Sequence, residues 1–247
     1  MVSSFSAPYT PAATAVAALR ERGHAVLAPE GVERLTGVSL DVLHALEPAW
    51  DDLALDGYLR DGGSYRRRRH ACFVVDGDAV ALAPHRAHWQ SEDYNALHGG
   101  MRRWFEPIVP GVVAAPAWHQ LLKALGDCFT QVRPTRPWYV EAHQFRIDTS
   151  DGIGRPTPEG AHRDGVDFVA VFLVRRHGIK GGETRVFEAA GPGGQRFTLA
   201  EPWSVLLLDD TRVIHESTPI QPDGDTDDRH RDTLVLTYRA GAFQGED

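Results

Sequence analysis

The sequence predicts a sandwich or barrel of short strands with a helical region placed before it. Two observations carry this. Beyond Pro137, runs rich in β-branched and aromatic residues recur at short intervals, separated by Gly, Pro and Asp clusters. Ahead of them, alanine- and leucine-rich segments follow a helical period instead. No long linker divides the two parts. Residues 1–247 therefore read as a single domain, with 1–136 mostly helical and 137–240 forming the β core.

In chain order, residues 11–22 form an alanine-rich helix that Gly23 stops. Ser39 is a credible N-cap for a helix reaching Leu53, because its hydroxyl can accept from an orphan N–H of the first turn. Pro48 should interrupt that helix. A third helix starts at Pro116, which suits a first turn, and runs to about Phe129. Trp118, Leu121, Leu122, Leu125 and Phe129 fall on one of its faces. The strand-like runs are 138–147, 168–174, 184–188, 196–199, 204–208, 212–217 and 233–238. The pairs Gly181-Gly182 and Gly193-Gly194 read as hairpin turns. Trp89, Tyr94, Trp104 and Phe105 are expected to pack the helical part.

Composition narrows the function. A net charge of −8 argues against a dedicated nucleic-acid binder, since such domains are usually basic. The two cysteines, Cys72 and Cys128, lie far apart with no metal-ligand spacing, so a disulfide framework is not expected. No run approaches 18 uninterrupted apolar residues and no signal-peptide pattern opens the chain. A cytoplasmic protein is the expectation, with no membrane or nucleic-acid partner; the sequence leaves room for a homodimer.

His162 and Asp164 are one residue apart, and side chains two apart in an extended segment point to the same side. His215 follows Asp164 by 51 residues, at the end of a strand-like run. Two histidines and one carboxylate with open positions are diagnostic of non-haem Fe(II) oxygenases. Zinc is the rival metal, but structural zinc prefers four closed ligands that include cysteine. Arg231 lies 16 residues after His215 and opens the last strand. Its planar fork grips a carboxylate bidentately, and Thr233, on the same face, can add a hydroxyl. A salt bridge to Asp223, Asp225, Asp227, Asp228 or Asp232 is the alternative for Arg231, and Arg239 is the fallback clamp.

Other residues stay open at this stage. Glu141, His143 and Phe145 share one strand face; Ala142, Gln144 and Arg146 share the other. Alternation alone does not say which face looks into the barrel, so either His143 or Gln144 could touch a ligand. The run Arg66-Arg67-Arg68-Arg69 precedes a strand-like segment at 71–75, and one alternate pair, such as Arg66 and Arg68, could bind a substrate acid. Glu159 and Asp167, on either side of the His-x-Asp loop, could bind an ammonium group or cap the loop.

The runs WYVEAHQFRI, PTPEGAHRDGVDFV, GGETRVF, LLLDDTRVIHESTPI and RDTLVLTYR resemble the Fe(II)- and 2-oxoglutarate-dependent dioxygenases. More narrowly, they are similar to the bacterial subfamily that includes L-isoleucine dioxygenase and hydroxylases of free amino acids such as pipecolate. That resemblance implies a double-stranded β-helix, a jelly-roll or cupin-like barrel with N-terminal helices packed on it. It implies iron on His162, Asp164 and His215, and 2-oxoglutarate on Arg231, Thr233 and Gln144. It also implies hydroxylation of a small free L-amino acid, aliphatic or cyclic, with O₂ consumed and succinate and CO₂ released. The presence of Asp164 argues against the superfamily's halogenases, in which a small residue vacates that position. The alternatives are the same chemistry on a biosynthetic intermediate or peptidyl side chain, and a non-catalytic barrel that binds a metal or small acid in a sensory role.

Overall fold

The computed structural model describes residues 5–95 and 97–245. Its strands are β1 (His24–Leu27), β2 (Arg66–Asp76), β3 (Ala79–Leu82), β4 (Trp138–Asp148), β5 (Phe168–His177) and β6 (Ile179–Gly181). They continue as β7 (Thr184–Glu188), β8 (Gly194–Phe197), β9 (Val205–Asp209), β10 (Val213–Ser217), β11 (Ile220–Pro222) and β12 (His230–Ala240). The α-helices are α1 (Ala15–Arg22), α2 (Pro29–Thr36), α3 (Leu40–His44), α4 (Pro110–Val113) and α5 (Pro116–Val132).

Seven strands form one sheet in the order β1-β9-β5-β12-β4-β2-β3, and smaller sheets β10-β7-β8 and β11-β6 complete the barrel. All strand pairs are antiparallel. The protein is mainly β, a double-stranded β-helix carrying helices on its large sheet.

One face of the large sheet is apolar and belongs to the helices. Leu234, Leu236 and Tyr238 of β12, Val140 and Ala142 of β4, and Phe168, Ala170 and Phe172 of β5 join a buried cluster with Trp118, Leu121, Leu122, Leu125 and Phe129 of α5. Phe129 stacks on Phe168 with centroids 4.6 Å apart, and the Tyr238 hydroxyl donates to the Leu122 carbonyl at 2.9 Å. The amphipathic period of α5 therefore supplies the lid of this core. Gly23 stops α1 in the left-handed conformation, φ 75°, its N–H returning to Leu19 O.

Several sequence expectations need correction. The first 136 residues are not mostly helical: β1, β2 and β3 all join the large sheet. The strand expected at 71–75 begins at Arg66, because the arginines have partners on both faces and do not break it. The helix expected from Ser39 ends at His44 and resumes as a 3₁₀ turn, Glu47–Trp50, with Pro48 in its first turn. Ser39 makes no side-chain cap; its carbonyl accepts from Val42 and Leu43 instead. Gly193-Gly194 does lie in the β7–β8 hairpin. Gly181-Gly182 instead joins two sheets, and a side chain on Gly181 would meet Pro219 O at 2.3 Å. Of the aromatic set, Phe105 is buried, but Tyr94 and Trp104 are exposed.

Asp232 ties the central strands together from the edge of the helical side. Fully buried, it accepts from Arg146 Nε and Nη2 of β4 and from Arg175 Nε of β5, all between 2.8 and 2.9 Å. Without Asp232, the half-buried Arg146 and Arg175 keep only the exposed Asp51 as a carboxylate partner. Asp232→Ala should therefore lower unfolding free energy by about 1–2 kcal/mol, the loss of hydrogen bonds between charged groups, read as a shift in urea midpoint at unchanged slope; a shift within error of zero would refute this role.

Candidate metal centre and substrate chamber

The other face of the large sheet is polar and lines a cavity of about 120 Å³. Strand alternation decides which residues reach it. From β12 come Arg231, Thr233, Val235 and Thr237; from β4, His143, Phe145 and Ile147; from β2, Arg66 and Arg68. The register places Arg66 beside Ile147 and Arg68 beside Phe145, so one face of three adjacent strands converges. A register shift at Asp232/Thr233, between β12 and β5, adjusts the aim where the chamber begins.

Opposite this face lie the loop before β5 and strand β10. His162 and His215 bond reciprocally through their backbones, N–H to carbonyl at 3.0 and 2.9 Å. Thr157 donates to Ser217 O at 2.9 Å and accepts from Ser217 N at 3.1 Å, so the loop runs as an added edge along β10. Asp210, fully buried after β9, accepts three consecutive backbone N–H groups from Asp164, Gly165 and Val166 at 2.8–3.1 Å. Burial and the neighbouring Asp164 push the Asp210 carboxyl up to about 7, against the pull of those three donors.

This scaffold brings His162, Asp164 and His215 together. Their ligand-capable atoms lie within 4.8 Å of one another. His162 Nε2 is 3.8 Å from Asp164 Oδ1, and His215 Nε2 is 3.7 Å from Asp164 Oδ2. The Nδ1 of His162 is 3.0 Å from the Gly160 carbonyl and donates to it, which leaves the Nε2 lone pair facing the carboxylate. Two neutral nitrogens and one carboxylate oxygen, arranged on one side, suit a divalent iron with positions left open.

Arg231 is buried, and its Nε has no hydrogen-bond partner. Among the described residues it forms no salt bridge: Asp232 is taken by Arg146 and Arg175, and Asp228 by His177 and His230. Burial, reinforced by Arg176, lowers Arg231 to about 10, so it stays charged at neutral pH. A buried guanidinium without a counter-charge is costly, and a ligand carboxylate removes that cost. Arg239 faces elsewhere and donates to the carbonyls of Ala242 and Phe243.

Two of the residues singled out from sequence fall outside the chamber. Gln144 points to the helical side, as its parity opposite to His143 and Phe145 requires; both its amide atoms are sealed there without partners. Asp167 pairs with Arg133 and accepts from Ala240 N at 2.8 Å, closing the loop onto β12. Glu159 does line the chamber, with its Oε2 buried and unpartnered. Arg66 and Arg68 line it too, tethered from behind by Asp56 at 2.7 and 3.8 Å. The Arg68 guanidinium also lies over the rings of Phe105 and Phe145, at 3.7 and 4.4 Å from their centroids.

Sequence reasoning missed His88, Gln90, Asn95, His98 and Arg103, which also line the chamber. They come from an irregular segment with no strand or helix period; the one signal available was its density of polar residues. His88 belongs to a second cluster with His70, Glu141 and His143. Glu141 Oε2 accepts from His70 Nε2 at 3.1 Å and His88 Nδ1 at 2.6 Å, while Arg68 Nη2 donates to His143 Nδ1 at 2.8 Å. The Glu141 carboxylate is taken by His70 and His88, His143 Nδ1 is taken by Arg68, and the Arg68 guanidinium adds a positive charge where a cation would sit. The cluster is a hydrogen-bonded wall of the chamber.

Burial lowers His88 from its ordinary 6.5 to about 4 and lowers His70 as well. Glu141 is held low by His88 and His70, which outweigh its burial. In the unfolded chain the histidines take up protons below pH 6.5, whereas folded His88 does so only near 4. Asp210, raised to about 7, acts in the opposite direction over the same range, but the buried histidines lowered from 6.5 (His70, His88, His98, His143 and His215) outnumber it, so stability should fall as the pH drops through the window. Thermal melts of the metal-free protein would show this, and a melting temperature flat from pH 7 to about 4.5 would contradict it.

Comparison with known proteins agrees with this geometry. No curated protein matches the sequence. The crystal structure of a bsmA homolog from Methylobium petroleophilum PM1 is 55% identical, covers 97% of both chains and superposes with a TM-score of 0.91. IDO from Bacillus thuringiensis shares the fold at 19% identity and a TM-score of 0.74, over 94% of this chain and 100% of its own. The Fe(II)/(alpha)ketoglutarate-dependent dioxygenase TqaL does so at 19% identity and 0.67, over 94% and 90%. The family model described as 2OG-Fe dioxygenase matches residues 47–237, a span that contains the whole chamber. The chain belongs to the 2OG-Fe dioxygenase family, whose cofactor and cosubstrates are Fe(II), 2-oxoglutarate and O₂.

Proposed function

We propose that this protein hydroxylates an unactivated C–H of a small free L-amino acid, aliphatic or cyclic, using His162, Asp164 and His215 to hold iron. The observation that carries the reading is the pairing of opposite charges around one small chamber. Arg66, Arg68 and Arg103 are buried there, and Arg66 Nη2, Arg68 Nε and Arg103 Nε have no hydrogen-bond partner among the described residues. Glu159 shares the chamber with a buried, unpartnered carboxylate oxygen. The three guanidinium groups are matched by Asp56, Glu141 and Glu159, so the substrate end is close to neutral and suits a zwitterion. An amino acid offers its carboxylate to the arginines and its ammonium to Glu159. The resemblance of its sequence runs to free amino-acid dioxygenases supports the same reading.

Iron with 2-oxoglutarate and O₂ supplies the oxidising power: one oxygen atom enters the C–H bond and the other leaves in succinate, with CO₂ released. The chain binds and orients. Arg231 holds the far carboxylate of 2-oxoglutarate, and Thr233 adds a hydroxyl to it. Val171, Val235 and Phe145 give the reacting carbon an apolar bed.

Succinate release in the presence of Fe(II) and 2-oxoglutarate should be stimulated by at least one member of a panel of aliphatic and cyclic L-amino acids, with a hydroxylated product visible by mass spectrometry. If no amino acid raises turnover above the substrate-free rate, the substrate assignment fails. Arg231→Met should weaken 2-oxoglutarate binding roughly 100-fold, the loss of two charge-assisted hydrogen bonds. Calorimetry on the Co(II)-loaded protein measures this, and an unchanged affinity would remove Arg231 from the clamp.

A further inference from the structure

We propose that Gln90 is a positioning residue for the metal-binding carboxylate, and that Arg103 sets its orientation, so that Arg103, Gln90 and Asp164 form a relay from the chamber wall to the metal centre. This rests on the proposed metal role of His162, Asp164 and His215, and not on the identity of the substrate.

The relay follows from donor and acceptor chemistry alone. Gln90 Nε2 lies 3.2 Å from Asp164 Oδ1. Gln90 Oε1 lies 2.8 Å from Arg103 Nη2 and 3.1 Å from Asn95 Nδ2. A guanidinium can only donate, so the amide end facing Arg103 must be the oxygen. Asn95 is oriented in turn, because its Oδ1 accepts from the His98 backbone N–H at 2.8 Å. Gln90 has one way to sit, and in it the N–H points at the iron ligand. Gln90, Asn95 and Arg103 are all more than nine-tenths buried. The segment is held by paired backbone bonds between His88 and Arg103, at 2.9 and 3.0 Å.

A carboxylate bound through one oxygen can rotate about its Cβ–Cγ bond. The bond from Gln90 fixes one oxygen of Asp164 and with it the direction in which the other is offered. Asp210 already fixes the backbone of the same residue. Outer partners of this kind typically contribute 10–100-fold to metal affinity. Arg103 also lines the chamber and its Nε has no hydrogen-bond partner, so an anion landing against it meets the same guanidinium that orients Gln90.

The test is Co(II) binding to the metal-free protein by calorimetry. Gln90→Leu should weaken Co(II) about 10–100-fold. Arg103→Met should also weaken it, although removing a nearby positive charge would by itself tighten a cation. In the Gln90→Leu background, Arg103→Met should weaken Co(II) no further, the non-additivity expected of residues acting through one contact. Arg103→Lys, which keeps a charged donor, should recover most of the loss. Thermal melts accompany each variant, and Gln90→Met replaces Gln90→Leu if the latter does not fold. The relay is overturned if Gln90→Leu binds Co(II) like wild type, or if Arg103→Met tightens binding in both backgrounds. Wild-type protein that takes up no Co(II) overturns the metal centre itself, and the relay with it.

Discussion

Everything in this structure depends on the period-two alternation of β12, β4 and β2. One set of side chains must enter the helical core and the other must enter the chamber, and a slip of one residue would exchange them. Leu234, Leu236 and Tyr238 are committed to the core by α5, which leaves Arg231, Thr233, Val235 and Thr237 no direction but inward. The apolar packing thus chooses the functional face. It is the reason that a buried arginine without a partner can exist here at all: the core on the reverse of the strand holds it in place.

The chamber concentrates charge in a buried space, and the protein manages each charge differently. Asp56 stands behind Arg66 and Arg68, and the rings of Phe105 and Phe145 cover the Arg68 guanidinium. Glu141 gathers His70 and His88 as neutral donors. The Asp210 carboxylate accepts from three backbone N–H groups, and Arg163 Nε donates to its carbonyl, which fastens the loop bearing Asp164. Arg231 Nε, Arg66 Nη2, Arg68 Nε, Arg103 Nε and Glu159 Oε2 are the remainder among the charged side chains of the chamber's described residues. A buried polar group left without a partner costs about 1–3 kcal/mol, so these positions mark where a ligand belongs.

Much of this was legible in the sequence, for identifiable reasons. His162, Asp164 and His215 could be read because ligand chemistry restricts residue type and because strand parity puts residues two apart on one side. Arg66 and Arg68 were legible as an alternate pair, and α5 as an amphipathic period. Gln144 illustrates the limit. Its strand was clear, but alternation has two phases, and only the helical core selects between them. The start of β2 was hidden because a run of four arginines looks like a solvated surface until Asp56, Asp148 and two aromatic rings are seen to receive it, and β1 and β3, four residues each, are too short to carry a period. Gln90, Asn95 and Arg103 were illegible because no periodic element carries them. Their meaning lies in which atom donates to which, and that needs coordinates.

That donor logic also explains why an amide suits the place beside Asp164. A cation in contact with the carboxylate would compete with iron for it, and another carboxylate would repel it. A neutral N–H orients the oxygen and leaves its charge for the metal. It also does not titrate, so the orientation is the same at any pH at which the protein folds. The amide's weakness is that it can flip and offer its oxygen instead. Arg103 removes that freedom from one hydrogen bond away, where its charge is separated from the iron site by the length of the glutamine side chain. Placing the cation behind the amide, and not against the carboxylate, secures the orientation while keeping the direct charge–charge contact out of the metal centre.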